Sequence, residues 1–180
     1  EVGMEGVGLS ARVLQLAWNY AAERIQGYAQ GHDGRVPIIH HPDVRRMLLH
    51  IRALSESSRA LGYYAAAAYD HAHANPDPEQ RARHTRRLDL LTPVFKGWST
   101  EMAQESSYLA LQVHGGMGFI EETGIAQYYR DARITTIYEG TTGIQALDLM
   151  GRKMLRDKGQ GMTELLQEMK LEKPLLTLGY

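Results

Sequence analysis

At 180 residues the chain is long enough to bury one core. Its 20 Lys and Arg against 21 Asp and Glu leave a net charge of -1 with no dense basic block, which excludes a nucleic-acid partner. With no cysteine, disulfides and thiolate metal sites are excluded; no apolar run reaches the roughly 20 residues that cross a bilayer, and no signal peptide is visible. The chain begins at Glu1 rather than at a methionine, so it reads as a piece of a longer protein.

Leu9, Val13, Leu16, Ala17, Tyr20 and Ala21 recur at helical spacing and predict a first helix ending near Gln30. The stretch "GHDGRVPIIHHP" is loop chemistry. Val44, Met47, Leu48, Ile51, Leu54, Leu61, Ala65 and Ala68 keep one face and predict a long helix over about 43–72. "HANPDPE" is a turn, with Pro78 suited to a first helical position. Leu88, Leu91, Phe95, Trp98, Met102, Leu109 and Val113 form the next stripe, which Pro93 should kink or split near Thr92. "HGGMGF" stops that helix, a short helix is expected over about 124–130, and a last one starts with Thr141 or Thr142 as N-cap and runs to about Leu155. "DKGQG" ends it, and the tail after Gly161 adds a turn or two before "PLLTLGY". No strand alternation of useful length occurs. The fold class is all-α, an antiparallel four-helix bundle, with Leu91, Phe95, Trp98, Met102, Ile51 and Leu54 in its core.

Among the chemically able residues, neither His40 with His41 nor His71 with His73 has metal-ligand spacing, so no metal site is expected. The glycines of "HGGMG" either let a ligand approach backbone closely or simply stop a helix. Arg24 either satisfies helix carbonyls or reaches a phosphate with its planar fork. Arg130 and Arg133 flank Asp131, an arrangement that taken alone reads as a surface ion pair rather than a site. Glu139 is either solvated decoration or a base beside the free N–H groups that precede a helix, an arrangement suited to enolate chemistry.

These pieces occur together in "LALQVHGGMGFIEETGIAQYYRDARITTIYEGTTGIQALDLMGRK", which resembles the C-terminal signature of the acyl-CoA dehydrogenase family. The longer loop at "GYAQGHDGRVPIIHHPDVRRMLL" resembles that of the larger bacterial fatty-acid-type members. The resemblance implies that residues 1–160 form the C-terminal helical bundle of a subunit and 161–180 a tail. The family's N-terminal helical and middle β domains are absent from this chain. It implies α,β-dehydrogenation of an acyl-CoA thioester in fatty-acid β-oxidation, with FAD as cofactor and Glu139 as the base that takes the α-proton. Tyr138 and Gly140 join Glu139 at the substrate, the tyrosine on the pocket wall and the glycine letting the chain turn past the thioester. Arg24 matches the arginine that reaches the FAD pyrophosphate of a partner subunit. Gln112, Gly115 and Gly116 match the segment that receives the adenosine half, and Thr141 and Gly143 match the turn that touches the cofactor. Gln26 and His41 are carried over as cofactor contacts from a stretch that departs from the pattern, since Gln26, Gly27 and Tyr28 stand where Phe-Gly is common and Pro42 replaces a glutamine. The resemblance also implies a homodimer or homotetramer, an electron-transfer flavoprotein as acceptor, and a bacterial cytoplasmic setting. Two alternatives stand beside it: an acyl-CoA oxidase-like domain, which shares a similarly placed glutamate, and a catalytically silent helical module used for binding or assembly.

Overall fold

The computed structural model describes residues 1–171, so the closing "PLLTLGY" lies outside the described residues. Helix α1 spans Val2–Glu23 and ends when Arg24 turns extended, at φ -74° and ψ 111°. The helix expected to reach Gln30 therefore stops early. Ile25–Tyr28 forms β1, which pairs antiparallel with β2, Arg35–Pro37. The ribbon lies in the stretch expected to be loop, and it leaves the all-α class in place. Gly27 sits at φ 74°, which a helix cannot contain, and β-branched Ile25 favours the extended state. So short and irregular a pair leaves no alternation to read.

Pro42 opens α2, Pro42–Ala74. Asp77 caps α3, Pro78–His114, by accepting the Glu79 N–H at 2.9 Å, and Pro78 holds the first helical position as expected. Helix α3 runs through Pro93 without splitting at Thr92. Leu90, Leu91 and Pro93 are buried, so the proline sits on the packed face of the helix. Gly115, at φ 59°, ends α3, and the short α4, Gly116–Phe119, follows. Helix α5 occupies Ile125–Thr135, longer than the expected segment. Helix α6, Thr142–Leu147, is capped by Thr141 and continues as a π-helical segment, Asp148–Met154. A turn through Lys158 and Gly159 leads to α7, Gln160–Leu171, which at about three turns exceeds the turn or two expected after Gly161.

The columns alternate in direction. Helices α1 and α3 are parallel: Gly6 lies against Ser99 near one end, and Tyr20 stacks on His114 at 4.3 Å near the other. Helix α2 opposes them, with His50 bonded to Glu105 at 2.8 Å and His71 stacked on His84 at 4.6 Å. The fourth column is α5 followed by α6, interrupted between them, and both pack on α3. Helix α7 is tied to α3 through Arg86 and Glu164 at 2.7 Å and through Arg83 and Arg87 to Glu168.

The buried core gathers Val13, Ala17, Met47, Leu48, Ile51, Val113 and Ile125. Where α3 meets its neighbours its buried face is small: Ser99, Thr100, Ala103, Ser106, Ser107 and Ala110. Ile51 and Leu91 are buried as expected, whereas Leu54, Phe95 and Met102 are half-buried and Trp98 is 44% exposed. Close helix approach selects small side chains, so the large apolar stripe lies at the rim of the contact and not at its centre. Among the described residues, no helix is long and apolar enough to cross a membrane, and no group of three or more His, Asp or Glu could hold a metal.

A Cβ built on Gly6 falls 2.5 Å from the Ser99 carbonyl oxygen, which is backbone and cannot step aside. Gly6→Ala should destabilise the bundle by about 1–3 kcal/mol. Gly8→Ala, which meets nothing within 4 Å, should be neutral or stabilise by up to about 1 kcal/mol. Chemical denaturation followed by helical circular dichroism checks the pair.

Candidate active site

The site is the interruption of the fourth column, residues 136–141. After α5 the chain makes a turn closed by the Ile137 and Tyr138 N–H groups on the Ile134 carbonyl, at 3.0 and 3.1 Å. Glu139 then adopts φ 52° and Gly140 φ 93°. Left-handed backbone costs a non-glycine residue about 1–3 kcal/mol and persists only where the surroundings impose it. Here they do. Lys96 Nζ donates to the Gly140 carbonyl at 2.7 Å, and Gln145 Nε2 donates to the Glu139 and Gly140 carbonyls at 3.2 and 3.3 Å. The Thr142 hydroxyl donates to Glu101 of α3 at 2.6 Å, and Thr141 Oγ1 accepts the Ile144 N–H at 3.3 Å. The N–H groups of Glu139, Gly140 and Thr141 have no acceptor among the described residues.

Beside this turn lies a cleft of about 430 Å³ between the start of α1, the second half of α2 and the middle of α3. Val2, Met4, Ala65, Tyr69, Leu88 and Phe95 make its walls apolar, and Glu139, Lys96 and Gln145 stand at its polar edge. The Phe95 ring lies against two glycines: an added Cβ would fall 2.7 Å from it at Gly3 and 2.8 Å at Gly62. The Glu139 side is exposed, whereas Lys96 is buried, and burial pushes its ammonium below the ordinary lysine range against the opposing pull of Glu101 and Glu139. The Tyr138 hydroxyl donates to the Glu5 carboxylate of α1, so it is tied to that helix and is not among the residues lining the cleft. This bond pushes the phenol up to about 12.

The other expected residues assemble elsewhere. Arg24 caps α1, exposed and with no side-chain partner among the described residues. The Ile38 N–H donates to the Arg24 carbonyl at 2.8 Å, and His41 Nε2 donates to the Gln26 carbonyl at 2.7 Å. Gln112 is in the last turn of α3, its carbonyl accepting the Gly115 N–H at 3.0 Å, and open space surrounds Gly115 and Gly116. The stacking of Tyr20 on His114 puts these two sets at one end of the bundle. Glu139 stands near the start of α1, with Thr141 and Gly143 following it. The length of α1, about 30 Å at 1.5 Å per residue, separates the two groups. Lys96 and Glu101 escape a reading by motif, and Gln145 lies in the signature only as part of its closing Ile-Gln, with no role attached. A lone lysine within the apolar "PVFKGW" is the one signal that pointed to them.

Residues 1–155 match the family description "Acyl-CoA dehydrogenase, C-terminal domain". The chain is 54% identical over 164 residues to 3-methylmercaptopropionyl-CoA dehydrogenase of Ruegeria pomeroyi, covering 88% of this chain and 27% of that protein. It is 40% identical over 170 residues to the broad-specificity linear acyl-CoA dehydrogenase FadE5 of Mycobacterium tuberculosis, covering 91% of this chain and 28% of that one. The chain thus spans about a quarter of the length of the curated relatives it matches. Among solved structures, Bd2924 in its apo form superposes with a TM-score of 0.80 at 27% identity, over 99% of this chain and 35% of its own.

Because the Tyr138 proton is held by Glu5, its stabilising effect is complete below the ordinary phenol value near 10 and is lost as pH rises through about 12. Glu5→Gln should bring this tyrosine's titration back toward 10. Phenolate absorbance in an alkaline titration, with Tyr138→Phe as the reference, checks this.

Proposed function

The chain belongs to the acyl-CoA dehydrogenase family, and we propose that it is the C-terminal bundle of a subunit that dehydrogenates acyl-CoA thioesters, with Glu139 as the base. One observation carries the reading: a glutamate in left-handed backbone, at the edge of an apolar cleft, on a turn where the Glu139, Gly140 and Thr141 N–H groups have no acceptor among the described residues. The α-proton of a thioester is weakly acidic, so its removal needs a carboxylate together with donors for the enolate oxygen. The turn offers both from adjacent atoms. A Glu139 carboxylate oxygen takes the α-proton, and a turn N–H donates to the thioester oxygen as charge develops there. The apolar walls hold the acyl chain and exclude water from the reacting carbons.

The family's cofactor is FAD, which when bound accepts the hydride that leaves the β-carbon as the double bond forms. The chain's residues fit such a group. Arg24 presents a guanidinium with no partner among the described residues, and Gly115 and Gly116 present backbone with open space around it, at one end of the bundle. Arg24 would meet the pyrophosphate and Gln112, Gly115 and Gly116 the adenosine half, with Gln26 and His41 shaping the ribbon beside them. Thr141 and Gly143 would face the flavin next to Glu139. The separation of about 30 Å along α1 supports assigning the two ends to different flavins. That requires a homodimer or homotetramer in which each bundle serves its neighbour. Electron-transfer flavoprotein is the acceptor this reading implies.

In the full-length holoprotein, Glu139→Gln should leave FAD content and acyl-CoA binding intact. It should slow flavin bleaching in a single turnover by about 10²–10⁴-fold. Near-native bleaching would place the base at a different residue, and no bleaching even in the native protein would favour the silent-module alternative. Arg24→Ala should weaken FAD retention by about tenfold or more, as expected for losing a hydrogen bond to a charged group, while circular dichroism stays unchanged. Equilibrium FAD titration of the apoprotein measures it.

A further inference from the structure

Lys96 is 8% exposed, yet forms no ion pair among the described residues. A buried ammonium is costly, and a methionine would fill the same space without that cost. The structure uses this charge on one backbone oxygen, the Gly140 carbonyl at 2.7 Å, immediately after the proposed base. The ionisable groups facing it are Glu101 of its own helix and Glu139 of the turn. Gln145 reaches back from α6 to the same carbonyl and to that of Glu139. A trans peptide is planar, with its C=O and N–H pointing in opposite directions. Drawing the Glu139 and Gly140 carbonyls toward Lys96 and Gln145 therefore turns the Gly140 and Thr141 N–H groups away from those two side chains. The same three hydrogen bonds hold Glu139 in the left-handed region that an unrestrained glutamate avoids.

We propose that Lys96 and Gln145 are positioning residues for the Glu139 base: together they clamp the two carbonyls of its turn and so fix the direction of the carboxylate and of the turn's N–H donors. In this scheme the polar atoms of both residues are spent on the turn's carbonyls and not on the substrate. The clamp rests on the reading of Glu139 as base, and its loss acts on the reactive geometry more than on binding. Small misplacements of a catalytic group are enough to cost about 10²-fold in rate.

The test uses the full-length holoprotein with Lys96→Met, Lys96→Arg, Gln145→Leu and, alongside, Glu139→Gln. Lys96→Met should lower the limiting rate of flavin reduction per bound flavin by about 10–100-fold at saturating acyl-CoA, with thioester affinity little changed. Lys96→Arg, which restores a cationic donor, should recover most of that loss. Gln145→Leu should lower the rate in the same sense, and it decides the matter if Lys96→Met does not fold. Amide hydrogen exchange across residues 136–145 should quicken in Lys96→Met and Gln145→Leu, independently of activity. Native reduction rates and native exchange in these variants, with Glu139→Gln slow, would overturn the clamp and leave the base standing. A fast Glu139→Gln would overturn both.

Discussion

Gly6 of α1 lies against the Ser99 carbonyl of α3 with no room for a Cβ between them, and this close approach governs the rest of the molecule. It requires glycine, serine and alanine along the seam. In return it brings the first turn of α1 against Phe95 and Lys96. Gly3 and Gly62 leave the space that the Phe95 ring occupies at the wall of the apolar cleft. Because α1 and α3 are parallel, the same seam carries Arg24 and the Gly115 turn together to the far end. One packing constraint thus sets both the cleft and the distance between the two candidate sites.

The fourth column follows a different logic. A continuous helix there would bury its polar backbone in itself and offer nothing to a ligand. Breaking it after Thr135 frees three N–H groups and leaves two carbonyls that need partners. Buried Lys96 and half-buried Gln145 supply those partners, so the cost of the left-handed pair is met by their contacts while the donors stay available. The Thr142 hydroxyl on Glu101 secures the restart of the helix. Rigid columns on either side of a short irregular turn hold catalytic groups more tightly than a free loop would.

How much of this was legible in the sequence depended on which force fixed each element. The long helices were, because burial of Met47, Leu48 and Ile51 imposes a 3.6-residue period and Asp77 with Pro78 marks a start by chemistry of its own. The first helix was overextended because Tyr28 suits either state, and the positive φ of Gly27 decides it. Trp98 was assigned to the core because a large side chain on an apolar stripe looks like core. The tight seam with α1 selects small residues instead and puts it at the rim. Glu139, Gly140 and Thr141 were found as a motif, since their neighbours lie close along the chain. Lys96 was not, because its partner Gly140 is distant in sequence and a hydrogen bond to a carbonyl leaves no pattern. Whether Arg24 and the glycine pair would share one end rested on helix direction, which only the assembled bundle displays.

The most direct measurement is solvent exchange at the α-carbon of a bound thioester. An acyl-CoA analogue whose β-carbon has no transferable hydrogen is incubated in deuterated buffer with the full-length holoprotein, and the label is read by mass spectrometry. If Glu139 is the base, deuterium enters the α-position with the native protein and fails to enter with Glu139→Gln, although both bind the analogue. Equal labelling by the two proteins would place the base elsewhere and contradict the account.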